Sequence, residues 1–149
     1  MSKSIHIIYS HLDEPIAKSI SKALSSKEYL VSETALDNNE SITDFLSTIS
    51  PDNCQLIISV NMAGFAATSS DGGASFNITP VNVLVYLTTA PSNYDLYLSR
   101  RMNYTIQFIV SSPKDKAYIN NNHPHIRQTD YLQSIDDLPS FLNEMDWRF

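Results

Sequence analysis

The sequence predicts a doubly wound α/β fold, a mostly parallel sheet of five to six strands with helices on both faces. Two observations carry this expectation. Runs rich in β-branched and aromatic residues alternate strictly with segments whose apolar residues recur at helical spacing. The two runs near the middle of the chain, CQLIISV (54–60) and VNVLVYL (81–87), are apolar almost without a break. That is how strands read when both faces of a parallel sheet are covered. Crossovers between such strands are right-handed.

The elements follow in order. SIHIIYS (4–10) has strand composition, and HLDEPIAKSISKALSSKEY then shifts to a helical period. There Ile16, Ile20, Ala23 and Leu24 share a face, Asp13 and Glu14 stand at the start, and Pro15 lies in the first turn. YLVSETA (29–35) is a short extended segment. In DNNESITDFLSTIS the apolar stripe is Ile42, Phe45, Leu46 and Ile49, and Pro51 stops the helix. The strand CQLIISV comes next, then a loop holding all three glycines, then VNVLVYL. A helix over SNYDLYLSRRM (92–102), capped by Ser92 or Asn93, leads to the strand YTIQFIV (104–110). Ser112 caps a helix with Pro113 in its first turn, and Pro124 closes it. IRQTDYL (126–132) is predicted as an edge strand and DLPSFLNEMDWRF as the final helix.

A chain of 149 residues fits one domain, and 42% hydrophobic with 17% charged residues suits a globular one. The net charge of −6 argues against nucleic acid as a partner, since phosphate binding needs clustered Lys and Arg. Only SRRM (99–102) pairs two basic residues. Cys54 is the one cysteine, so no internal disulfide is expected, and its place at a strand entry predicts a reduced core thiol. No apolar run approaches a membrane span or a signal peptide, and a cytoplasmic location is expected.

In open α/β sheets ligands bind beyond the carboxyl ends of the strands, where strand order reverses. Four loops qualify: SHLDE, NMAGF and its continuation, TTAPSNYD, and SSPKD. The candidate ligand-binding residues drawn from them are Ser10, His11, Asn61, Gly64, Asp71, Thr88, Thr89 and Tyr94. Asn61 and the 61–76 loop are expected to line the one sizeable cleft at that edge. A turn role suits Asp71, in SSDGGAS, better than a ligand contact, and Gly-Gly beside it supplies backbone freedom. Glycine-rich phosphate motifs are missing, so no nucleotide cofactor is expected. Asp13 and Glu14 suit a helix dipole better than a metal. His123 and His125 bracket Pro124 in a helix-ending turn with no further ligand at metal-site spacing. The serines lack a nucleophile-elbow context, and no catalytic residue is assigned. Tyr94 and Tyr97, with Arg100 and Arg101, offer rings and planar donors for a sugar or base, although Tyr97, Leu98 and Met102 fit a core face.

The order of motifs resembles the N-terminal Rossmann-like domain of certain bacterial GT-B glycosyltransferases. In that group a strand of the type D-L-V-I-S-F-N-G-M-G leads to I-P-Y-x-x-x-L-V-D-H-P. A stretch like N-Y-x-V-x-x-x-D-x-x-H-x-x-Y-I-x-x-x-Y-P-x-I then follows. Ser59, Asn61 and Gly64 match the first motif, Ile78 and Pro80 the second, and Asn103, Tyr104, Tyr118, Ile119, Pro124 and Ile126 the third. The resemblance spans about residues 50–132. D-H-P is replaced by LTTAP (87–91), and the chain ends where a second Rossmann domain would follow. The resemblance therefore implies an acceptor-side domain, meeting a sugar or glycan acceptor and a second Rossmann domain or a second copy, without transfer activity alone. A rival resemblance is to TIR-type interaction domains, in the opening strand ending Tyr-Ser before an acidic helix. No glutamate occurs in the second half before Glu144, which speaks against NAD cleavage. A small acidic binding or inhibitor protein is the third reading.

Overall fold

The computed structural model describes residues 3–25, 29–66, 73, 76, 81–103 and 105–145. Its strands are β1 (Lys3–Tyr9), β2 (Tyr29–Ala35), β3 (Leu56–Val60), β4 (Asn82–Tyr86), β5 (Ile106–Val110) and β6 (Thr129–Tyr131). Its helices are α1 (Glu14–Ser25), α2 (Asn39–Thr48), α3 (Asp95–Leu98), α4 (Pro113–Asn122) and α5 (Leu138–Glu144). All strand pairs are parallel, in the order β2-β1-β3-β4-β5-β6. The chain is a doubly wound α/β fold, as its alternation of periods predicts.

Strand side chains alternate between two cores, one on each face of the sheet. Ile57, Val83, Val85 and Phe108 meet Ile42 and Phe45 of α2, Leu98 of α3 and Ile119 of α4. Leu56, Ile58, Leu84 and Ile109 meet Ala17, Ile20 and Leu24 of α1 with Leu138 and Leu142 of α5. Every residue of β3 and β4 is buried, which explains their unbroken apolar sequence. Cys54 is buried just ahead of β3; its Sγ donates to the Leu56 carbonyl, and burial pushes the thiol pKa up.

Two helices are shorter than their sequence signals. The expected helix over 92–102 is a 3-10 turn, Pro91–Tyr94, followed by the single turn of α3. Tyr94 (φ −120, ψ 18) lies outside helical geometry, so the two turns do not merge, and neither Ser92 nor Asn93 is the cap. The final helix stops at Glu144 because Met145 is extended (φ −69, ψ 143). Strand β6 is three residues long and pairs only with the carboxyl half of β5, from Phe108 onward.

Candidate functional site

Strand order reverses between β1 and β3: from β1 the chain steps outward to β2, then returns to the other side as β3. The loops leaving β1 and β3 therefore diverge and leave a crevice at the carboxyl edge. Its volume is about 270 Å³, and its lining includes the residues that immediately follow three strands, Ser10, Leu36 and Asn61. Asp37 and Asn38 from the entry to α2, Met62 to Gly64, and Tyr97 of α3 complete most of the wall.

The loop after β3 is tightly built in its first half. Asn61 (φ 50) and Met62 (φ 64) are consecutive non-glycine residues in the left-handed region, and Gly64 follows at φ 89. Such strain persists only where surroundings over-determine it. Here the surroundings are a set of hydrogen bonds. The Ala63 amide donates to the Val60 carbonyl, Phe65 N–H to the Met62 carbonyl, and the buried Ser59 hydroxyl to the Ala63 carbonyl at 2.7 Å. Arg100 Nη1 donates to the Phe65 carbonyl at 2.6 Å, and Phe65 packs on Phe76 with centroids 4.9 Å apart.

The Asn61 carboxamide faces the loop after β4. Its Oδ1 accepts from the Thr88 backbone amide (2.8 Å) and its Nδ2 donates to Thr88 Oγ1 (2.9 Å). One side chain thus brackets the ends of two adjacent strands. Thr89 Oγ1 and the Tyr94 hydroxyl are 2.9 Å apart on the same loop.

The opposite wall carries charge. Asp37 Oδ1 accepts from the His11 backbone amide (3.0 Å) and from His11 Nδ1 (2.9 Å). These two donors, the backbone amide first, hold the Asp37 carboxyl below the usual carboxylate range. The carboxylate is 40% exposed, and Asp37 is the one formally charged residue among the described lining residues. Next to it, Asn38 caps α2: its Oδ1 accepts from the Ser41 amide while Ser41 Oγ accepts from the Asn38 amide, a capping box.

Of the candidate residues, Ser10, Asn61 and Gly64 line this crevice. His11 stands behind Asp37, and Thr88 behind Asn61. Thr89 and Tyr94 pair with each other, and Asp71 lies outside the described residues, as do Ile78, Pro80 and Tyr104 of the matched motifs. The sequence reading missed Asp37 and Asn38. They follow β2, a strand too polar to draw attention to its carboxyl end, and DNN reads locally as a cap and nothing more. Tyr97, which fits a core face by its spacing, is half-buried, packs against that core and also reaches the crevice.

The two histidines of HPH fasten α3 to the end of α4. His123, buried at the carboxyl cap of α4, donates from Nε2 to Asp95 Oδ1 (2.8 Å), and the Tyr118 hydroxyl donates to the same carboxylate (2.7 Å to Oδ2). His125 Nε2 donates to the Leu98 carbonyl. Among the described residues no group of three or more His, Cys, Asp or Glu could hold a metal. The His123 and Tyr118 donors, in that order, depress the Asp95 pKa from 3.8. A depressed carboxyl stabilises the fold above its unfolded pKa, and that stability is lost as pH falls through the folded value. Urea midpoints should therefore drop below about pH 4 in the wild type, and less so in Asp95→Asn. Equal acid slopes for the two proteins would exclude this clamp.

No family model, curated protein or solved structure matches the chain. No helix among the described residues is long and apolar enough to cross a membrane.

Proposed function

We propose that the chain is a glycosyltransferase-like, acceptor-side domain whose switch-point crevice holds a neutral, hydroxyl-rich ligand such as a sugar or the end of a glycan. The observation that carries this reading is the chemistry of the lining. Ser10, Asn38, Asn61 and Asp37 supply hydroxyl, amide and carboxylate groups, and Tyr97 supplies a ring. Sugars are bound by such groups, donors and acceptors set beside an aromatic face. Lysine and arginine are absent from the described lining, and the single charge is negative, which opposes the diphosphate of a sugar nucleotide. The Arg100 guanidinium lies 5.1 Å from the Tyr97 ring centroid and bonds the Phe65 carbonyl. A crevice of this size holds about one sugar unit, at the low end of small-molecule sites.

Transfer needs both substrates held in register, so the domain does not transfer by itself and works beside a second Rossmann domain or a second copy. The single buried cysteine and acidic balance suit a cytoplasmic protein. The test is an assay of the purified chain with UDP-sugars. Neither hydrolysis nor transfer is expected, and turnover at a few per second would contradict the half-enzyme reading.

A TIR-like assembly domain is the second reading. It is favoured by the open outer edge of β2, where Leu30 is 61% exposed, and by Leu12, 79% exposed in the turn after β1. A mass that stays monomeric across a wide concentration range in light scattering would exclude it.

A further inference from the structure

We propose that a groove on the far side of the sheet's length from the switch point is a binding site for the side chain of an arginine presented by a partner protein. The groove, of about 340 Å³, is lined by Gln107 near the amino end of β5, Gln128 at the entry to β6, Phe141 and Glu144 of α5, and Met145 just after it. It lies toward the amino ends of β5 and β6, whereas the sugar crevice lies at the carboxyl ends of β1 to β3, so the two sites are independent.

Its acceptors outnumber the donors that meet them. Gln107 Oε1 is buried and has no hydrogen-bond partner among the described residues. Buried amide oxygens nearly always have one, so this orphan asks for a donor. Gln128 spends its Nε2 on Asp130 Oδ2 (3.0 Å), which leaves its own carbonyl oxygen to offer. Glu144 is exposed at the rim, and no lysine or arginine is among the described lining residues. Among the described residues Glu144 takes part in no ion pair.

Phe141 and Met145 are half-buried, packed against the α1–α5 core, and give the groove a ring and a thioether. An anion would be repelled by the Glu144 carboxylate and would leave the Gln107 oxygen without a donor, and an apolar group would leave it unsatisfied too. A guanidinium answers all of these together. It is planar, carries five donors, stacks on aromatic rings and arrives on an aliphatic stem that suits Met145. A lysine ammonium has fewer donors and no plane to lay on Phe141. The net charge of −6 draws a basic partner toward the chain.

The test is a titration of the whole chain, followed by the side-chain amide signals of Gln107 and Gln128 in nitrogen–proton correlation spectra. The probes are Nα-acetyl-arginine amide, the citrulline analogue (same shape, no charge) and the lysine analogue. Arginine amide should shift both glutamine signals saturably, and the other two should bind at least about five-fold more weakly. Glu144→Gln, at an exposed position, should keep the wild-type melting temperature and weaken arginine by a similar factor while leaving citrulline unchanged. Citrulline binding as tightly as arginine overturns the proposal. So does a titration in which the arginine probe leaves Gln107 and Gln128 unmoved.

Discussion

Gly64→Ala should be among the most damaging single-methyl additions in the chain. At φ 89 an L-residue is strained whatever the space around it, and here there is no space. A Cβ on Gly64 would lie 2.6 Å from Phe76 Cζ, 2.8 Å from Phe76 Cε2 and 3.3 Å from Ile8 Cδ1. Phe76 is itself fully buried and packs on Phe65, so the ring has nowhere to retreat. Backbone strain of about 1–3 kcal/mol adds to overpacking of about 1–3 kcal/mol. For a domain of this size that lowers the melting temperature by roughly 10 °C. The clash predicts non-additivity: Phe76→Leu costs stability in the wild type, but in the Gly64→Ala background part of that loss should be returned. Melting curves of the two single variants and the double variant decide it. A Gly64→Ala protein as stable as the wild type would mean that the loop is not seated as described.

The second large effect is expected at Asn61, where one carboxamide joins the loops after β3 and β4. Asn61→Ala removes two hydrogen bonds, worth about 1 kcal/mol each, and leaves the Thr88 amide without its acceptor. It also takes from a left-handed position the residue type that tolerates it best after glycine. A loss of about 2–3 kcal/mol follows from these terms. Asn61→Asp should be much milder, because both carboxylate oxygens can accept, one from the Thr88 amide and one from the Thr88 hydroxyl. Urea denaturation of the two variants checks the order. If aspartate proves as costly as alanine, the bracket is not what Asn61 contributes. Because Asn61 and the strained Met62 both line the crevice, Asn61→Ala should also weaken any ligand bound there.

The fold was legible because each layer leaves a local trace. The full burial of β3 and β4 wrote unbroken apolar runs, and Ser112 with Pro113 announced α4 at its first residues. The break between the Pro91–Tyr94 turn and α3 left no such trace, since Ser92 and Asn93 look like caps and act as none. The site was legible by position more than by residue. The rule about carboxyl ends pointed to Ser10, Asn61 and Gly64, whereas strand order, which places the end of β2 beside them, is a long-range property that no local pattern encodes. That is why Asp37, tied to His11 across 26 residues of chain, went unseen. The glycine loop itself divides at Ala66: the half before it is a packed, bonded turn, and most of the rest lies outside the described residues.

Whether the switch-point crevice takes a neutral sugar is decided by backbone amide spectra of the chain titrated with a methyl glycoside and with the corresponding sugar phosphate. Saturable shifts are expected at Ser10, Asp37, Asn38, Asn61 and Tyr97 with the neutral glycoside, and weaker binding of the phosphate because Asp37 repels it. Tighter binding of the phosphate, or shifts that leave these five residues untouched, would contradict it.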